Sequence, residues 1–253
     1  MDEKSIEKAR YDDRADSLLK AAAAGASSGA SSVPSYLRDP YLAYEEAVGR
    51  AVGPGVSVLE IGSGSGEFTG AALRAGAEVL ATDISEKCLS VIPVRYPDAE
   101  GRLSVRQADM EALPFADGSF DVVMSAGSLS YGDNNIVMKE IHRVLRPRGR
   151  FICVDSLDHN PIYRMNRSIH RIRGQRTAST LRRMPRIGLL EEYGRVFGSV
   201  EVRYFGAVSW MMPTVASLFG ADTASGMSRW MDRWVGVRRS AFKFVMVATK
   251  TGD

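Results

Sequence analysis

The chain has 253 residues, 45% hydrophobic and 25% charged, a globular balance with enough apolar material for a substantial core. Its 33 Lys and Arg against 30 Asp and Glu leave a formal charge of +3, too mild to mark a nucleic-acid protein, so only the local distribution of charge is informative. Charges between Met1 and Arg10 stand where a signal peptide would be apolar, and no run approaches the roughly 18 apolar residues of a membrane span, so a soluble, cytoplasmic protein is expected. The two cysteines, Cys88 and Cys153, are far apart within apolar patterns; they exclude a disulfide framework or zinc cluster and read as core residues.

Residues 4–24 carry Ile6, Ala9, Leu18 and Leu19 at helical spacing, followed by a small-residue stretch from Gly25 to Ser32. This predicts a mobile N-terminal helix and a flexible joint over residues 1–40, with the main domain at 41–253. Tyr41 to Val52 reads as a helix stopped by Gly53-Pro54-Gly55. Five apolar, β-branched runs follow, at Val56–Ile61, Glu78–Thr82, Leu103–Gln107, Phe120–Ser125 and Arg150–Asp155. Helical patterns lie at Thr69–Gly76, Cys88–Tyr96 and Asn135–Leu145. Strands alternating with helices imply parallel pairing with right-handed crossovers, hence an α/β, doubly wound sheet. Two more strands, Ser199–Phe205 and Ala241–Lys250, flank a Trp- and Met-rich segment over 207–237, and a basic segment occupies 157–190.

Ligands of such a sheet bind beyond the carboxyl ends of its strands. After the first strand comes Glu60-Ile61-Gly62-Ser63-Gly64-Ser65-Gly66. The glycines permit a tight turn and a close ligand approach. A dinucleotide fingerprint needs its third glycine one position later, where Glu67 stands, and the Glu60 carboxylate would repel a phosphate but attract an ammonium group. Asp83, ending the second strand about 20 residues on, can accept hydrogen bonds from both hydroxyls of a ribose. Ala108-Asp109-Met110, after the third, offers an acceptor for an adenine amine and a thioether for its face.

These residues, with Phe120-Asp121-Val122-Val123 and Arg143-Val144-Leu145-Arg146-Pro147, make the chain resemble the class I S-adenosylmethionine-dependent methyltransferases, in particular the "methyltransferase 11" group and the quinone C-methyltransferases. The resemblance is strong over about 41–156. It implies a Rossmann-like seven-stranded sheet with a terminal antiparallel hairpin, S-adenosyl-L-methionine as cofactor, Glu60 and Gly62 at its methionine part, Asp83 at the ribose, Asp109 with Met110 at the adenine, and Gly64 as a further cofactor contact. Ile84 and Ser125 complete the expected strand-end contacts, and Tyr11 in Ala9-Arg10-Tyr11-Asp12 is similar to a segment that closes over the cofactor in relatives. Arg148 stands where a glycine is usual.

Methyl transfer rests on in-line positioning with water excluded, and a base matters only for a poorly acidic hydroxyl. His159, after the fifth strand, is the preferred base, although it also reads as a loop histidine; His142 reads as structural and His170 as solvated. Asp155, Asp158 and Asn160 all come from one short loop, so no metal is expected. Eight arginines fall between Tyr163 and Arg186 without an acid. They read as a solvated face, or as a clamp for a phosphate- or carboxylate-bearing acceptor, with Tyr163, Arg164, Arg167 and, from the aromatic segment, Trp210 as its candidate contacts. The aromatic segment itself reads as core, as a homodimer interface or as an acceptor cap. The expected reaction is O-methylation of a sugar or secondary metabolite. Carbon methylation of a quinone-like ring stands beside it, and RNA methylation and non-catalytic nucleoside binding are disfavoured.

Overall fold

A computed structural model describes residues 3–99, 101–158, 163, 178–234 and 237–252. The seven strands are β1 (Ser57–Ile61), β2 (Glu78–Asp83), β3 (Leu103–Gln107), β4 (Phe120–Ala126), β5 (Leu145–Ser156), β6 (Gly198–Phe205) and β7 (Lys243–Lys250). They form one sheet in the order β3-β2-β1-β4-β5-β7-β6. β1 pairs in parallel with β2 and β4, β2 with β3, and β4 with β5, whereas β7 runs antiparallel between β5 and β6. The expected sheet and its terminal hairpin are thus present. The order reverses between β1 and β4, which places the crevice for a ligand at their carboxyl ends.

Successive side chains of a strand point to opposite faces, and here both faces are covered. Leu59, Val123, Phe151 and Cys153 enter one core with Tyr193 and Phe197, while Val58, Val122, Met124, Ile152 and Val154 enter the other with Tyr44 and Val48. Helices α1 (Glu3–Ala23), α2 (Asp39–Ala51), α3 (Gly70–Arg74), α4 (Glu86–Leu89), α5 (Val91–Arg95) and α6 (Asn134–Val144) accompany the first five strands. The single helix expected over Cys88–Tyr96 is two short ones that meet at Ser90. Pro93 explains the break: it has no N–H to donate to Leu89, four residues back, and its ring crowds that carbonyl. Both cysteines are buried and unpaired, and His142 packs edge-on against Phe197 with ring centroids 5.2 Å apart. No helix among the described residues is long and apolar enough to cross a membrane.

Within the stretch read as a flexible joint, residues 25–27, Ser31 and Ser32 are exposed, but Gly29 and Ala30 are packed. Gly29 donates its N–H to Glu67 O at 2.6 Å, Ala30 N donates to Glu45 Oε1 at 2.9 Å, and both residues are buried. Gly29 has φ +66°, and a Cβ there would overlap the Glu45 carboxylate. Its smallness therefore serves a close approach of backbone to side chain rather than freedom of motion.

Arg148, the departure from glycine, has φ +65° in the turn within β5 and is exposed. An L-residue in that region costs roughly 1–2 kcal/mol, partly offset by the greater unfolded-state entropy of glycine. Arg148→Gly is expected to stabilise the protein by about 1 kcal/mol. Urea unfolding should show a raised midpoint with an unchanged slope.

Candidate functional site

A cavity of about 320 Å³ opens at the crevice beyond β1, β2, β3 and β4. Its floor is the loop after β1, where Gly62, Gly64 and Gly66 have φ of +60°, +53° and +77°. At Gly62 the constraint is double, because a Cβ would also collide with Ser128 in the loop after β4. Glu60 lies at the end of β1, 2% exposed, and accepts a hydrogen bond from Thr69 Oγ1 at 2.5 Å. Burial is the main reason its carboxyl is pushed up to about 8; the Asp83 charge adds to this and the Thr69 hydroxyl opposes it.

Asp83 Oδ2 accepts the N–H of Gly64 at 2.8 Å and Oδ1 accepts that of Ser85 at 2.9 Å. Burial raises its pKa while those N–H groups pull it down. Ile84, Asp109 and Met110 form the adjoining wall. Asp109 is more committed than the sequence implied: Oδ1 accepts from Glu111 N at 2.9 Å and Oδ2 from Lys4 Nζ at 2.5 Å.

Lys4 belongs to α1, which lies across the cavity. Lys4, Glu7, Tyr11, Arg14 and Leu18 line it, and their steps of three and four place them on one face of the helix. This helix is fastened by polar contacts. Tyr11 Oη donates to or accepts from Tyr131 Oη at 2.9 Å, Ser85 Oγ donates to Asp12 Oδ1 at 2.5 Å, and Thr180 Oγ1 donates to Glu7 Oε1 at 3.1 Å. The Tyr11 hydroxyl is held above its ordinary pKa, chiefly by burial.

The structure brings Tyr11, Glu60, Gly62, Gly64, Asp83, Ile84, Asp109 and Met110 to one cavity. Ser125 is not on its wall: it is fully buried, with Oγ 2.6 Å from Ser128 Oγ, and Ala126, Gly127 and Ser128 face the space instead. Tyr163 is also elsewhere. Its hydroxyl donates to Gly206 O at 2.8 Å and accepts from Trp210 N at 3.0 Å, and its ring packs on Phe242. Trp210, 46% exposed, is not on the cavity wall, and neither is any described side chain of the helices Met212–Phe219 and Ala221–Trp234. Asp232 accepts the N–H groups of Gly206 and Ala207 at 2.9 and 3.0 Å and so folds that segment back toward the start of α2, where Arg229 meets Asp39 at 3.6 Å.

His159, Arg164 and Arg167 lie outside the described residues, as do Asn160, His170 and the central arginines of the basic segment. Asp155 Oδ2 accepts from Leu129 N at 3.0 Å and so fixes the loop after β4, while Asp158 pairs with Arg186 at 3.4 Å. Sequence reasoning missed Lys4, Glu7, Ser128, Tyr131, Thr180 and Arg183 on the cavity wall. Gly127, directly after a strand end, was a usable signal for the loop that holds Ser128 and Tyr131.

Comparison with known proteins agrees with this geometry. Residues 59–153 match the family described as "Methyltransferase domain". An uncharacterised protein of Mycobacterium bovis is 38% identical over 99 residues, 39% of this chain and 36% of that protein. A demethylmenaquinone methyltransferase of Clavibacter sepedonicus is 37% identical over 126 residues, 47% of this chain and 49% of its own length. The matched regions thus span less than half of these relatives. Among solved structures, a putative sarcosine dimethylglycine methyltransferase from Galdieria sulphuraria is 20% identical with a TM-score of 0.57, covering 85% of this chain and 86% of that one. This chain's seven-stranded sheet is the fold shared with that solved methyltransferase structure.

The raised pKa of Glu60 has a consequence for stability. A carboxyl whose folded pKa lies near 8, against 4.5 for the ordinary group, favours folding fully below pH 4.5, and that contribution is lost as pH rises through 8. The stability of the ligand-free protein relative to Glu60→Gln should therefore fall between pH 5 and 8.5. Parallel denaturation curves that keep a constant gap across that range would refute the assignment.

Proposed function

We propose that the protein binds S-adenosyl-L-methionine and transfers its methyl group to a small-molecule acceptor, with O-methylation of a sugar or secondary metabolite in the cytoplasm as the leading reading. The observation that carries the cofactor assignment is the juxtaposition of Glu60, the Gly62–Gly66 turn, Asp83 and Asp109 on one cavity. A fit is supported by Ser63 Oγ, which is buried beside that cavity with no hydrogen-bond partner among the described residues. The Glu60 carboxylate suits the ammonium of the methionine part, Asp83 the ribose hydroxyls, and Met110 the adenine face.

The cofactor supplies an electrophilic methyl on a sulfonium that leaves as a neutral thioether. The protein's residues position the partners and exclude water. α1, closed over the cavity through Lys4, Glu7 and Tyr11, is the group suited to the second task. Glu60, Asp83 and Met110 would hold the cofactor so that it supplies that methyl group to the lone pair of an acceptor placed in line with it. A hydroxyl acceptor then gives up its proton, for which His159 is the proposed base. No metal is proposed in this step. Carbon methylation of a quinone-like ring is the second reading, supported by the demethylmenaquinone methyltransferase among the relatives.

Calorimetric titration with S-adenosylhomocysteine is expected to give micromolar affinity, weakened about a hundredfold by Asp83→Ala, which amounts to about 2.7 kcal/mol. NAD should not bind. Binding of NAD alone would overturn the assignment, and acceptor screening distinguishes oxygen from ring-carbon methylation by the product formed.

A further inference from the structure

The wall of the cavity away from the glycine turn is built from Glu7, Tyr131, Ser179, Thr180 and Arg183. Its charges are unevenly answered. Glu7 is paired with Arg10 at 2.8 Å and accepts from Thr180, and Lys4 is shared by Asp109 and Glu111 at 2.5 and 2.7 Å. Arg183 and Arg14 also line the cavity, and neither has an acidic partner among the described residues. The Arg183 guanidinium makes one long contact, to Tyr131 O at 3.5 Å, while its backbone is held in place: Asn134 Nδ2 donates to Arg183 O at 2.5 Å and Arg183 N donates to Ser179 O at 2.9 Å.

Counting charges on the proposed cofactor sharpens the point. Its ammonium is answered by Glu60, and its single carboxylate needs one cation, whereas the cavity offers two. Arg14 is exposed on α1; Arg183 is partly buried beside the hydroxyls of Ser179, Thr180 and Tyr131. A guanidinium on a cavity wall, without an acid to answer it among the described residues, can grip an oxyanion through two parallel N–H bonds.

We infer that Arg183 is the anchor for an oxyanion on the acceptor, a phosphoryl or carboxylate group, and so determines which acceptors enter. The inference rests on the methyltransferase reading but assigns a residue and a substrate class that the cofactor site does not. It moves the acceptor contact from Arg164 and Arg167 to a neighbour in the same basic segment whose place on the cavity is defined.

The test uses the full chain saturated with S-adenosylhomocysteine and titrated with inorganic pyrophosphate or with benzoate, for wild type, Arg183→Gln and Arg183→Lys. Saturable binding of either anion, weakened at least tenfold in Arg183→Gln and partly restored in Arg183→Lys, with homocysteine-cofactor affinity unchanged within twofold, is the expected result. Pyrophosphate preference would indicate a phosphoryl acceptor and benzoate preference a carboxylate. Anion binding indifferent to Arg183, or absent from wild type, would overturn the inference, as would a tenfold loss of cofactor affinity in Arg183→Gln, which would make Arg183 the partner of the cofactor's own carboxylate. Failure of wild type to bind S-adenosylhomocysteine at all is the separate failure of the cofactor reading.

Discussion

The carboxylate of Asp83 takes the N–H of Gly64 with one oxygen and that of Ser85 with the other, fastening the loop after β1 to the loop after β2. Both loops would otherwise leave these donors without a partner at a partly buried strand edge. Each carboxylate oxygen retains a lone pair, so the group that organises the turn can still receive a sugar hydroxyl. The rest follows from this clasp: it sets the glycine turn against Ser128, Ser85 in turn holds Asp12 of α1, and α1 brings Lys4 to Asp109.

The cavity is consequently divided by charge. Its strand-end half carries Glu60 and Asp83, whose pKa values burial raises; an ammonium group beside Glu60 would restore its charge, and Asp83 offers acceptors to hydroxyls. Its other half is capped by a helix whose inward face carries Lys4 and Glu7, both paired, and Arg14, which meets no acid among the described residues. Such a lid is held by a few polar bonds rather than by deep apolar packing, which is the profile of an element able to open at modest cost.

Most of the architecture was legible because strands and cofactor turns are local signals. All seven strands were read within two residues of where they lie, apart from β5, which begins earlier at Leu145 and so takes in the Arg148 turn. Glu60, Asp83 and Asp109 followed from strand ends, since the chemistry of an α/β crevice is fixed by topology. The failures were non-local. Gly25 to Ser32 reads as a joint by composition, but Glu45, distant in sequence, gives its glycine a packing role. Ser125 missed the cavity because one residue along a strand reverses the side chain. Trp210 was named as an acceptor contact from a segment that reads as core, homodimer interface or cap, whereas Asp232 binds the backbone just before it and Trp210 is off the cavity wall. On the cavity face of α1, Tyr11 was legible, whereas Lys4, Glu7 and Arg14 were not, because charged residues on a helix read first as a solvated face.

The position of β7 reaches beyond the site. β5 and β6 never touch; each meets only the strand inserted between them, over seven and eight residue pairs respectively. β6 is made before the strand that gives it a place in the sheet, so during synthesis it waits as an unpaired ribbon beside an open edge of β5. Closing that gap requires a contact spanning nearly a hundred residues from β5, and such distant pairings form slowly. Completion of the sheet thus waits on β7, whose loss would expose two sheet edges to other chains.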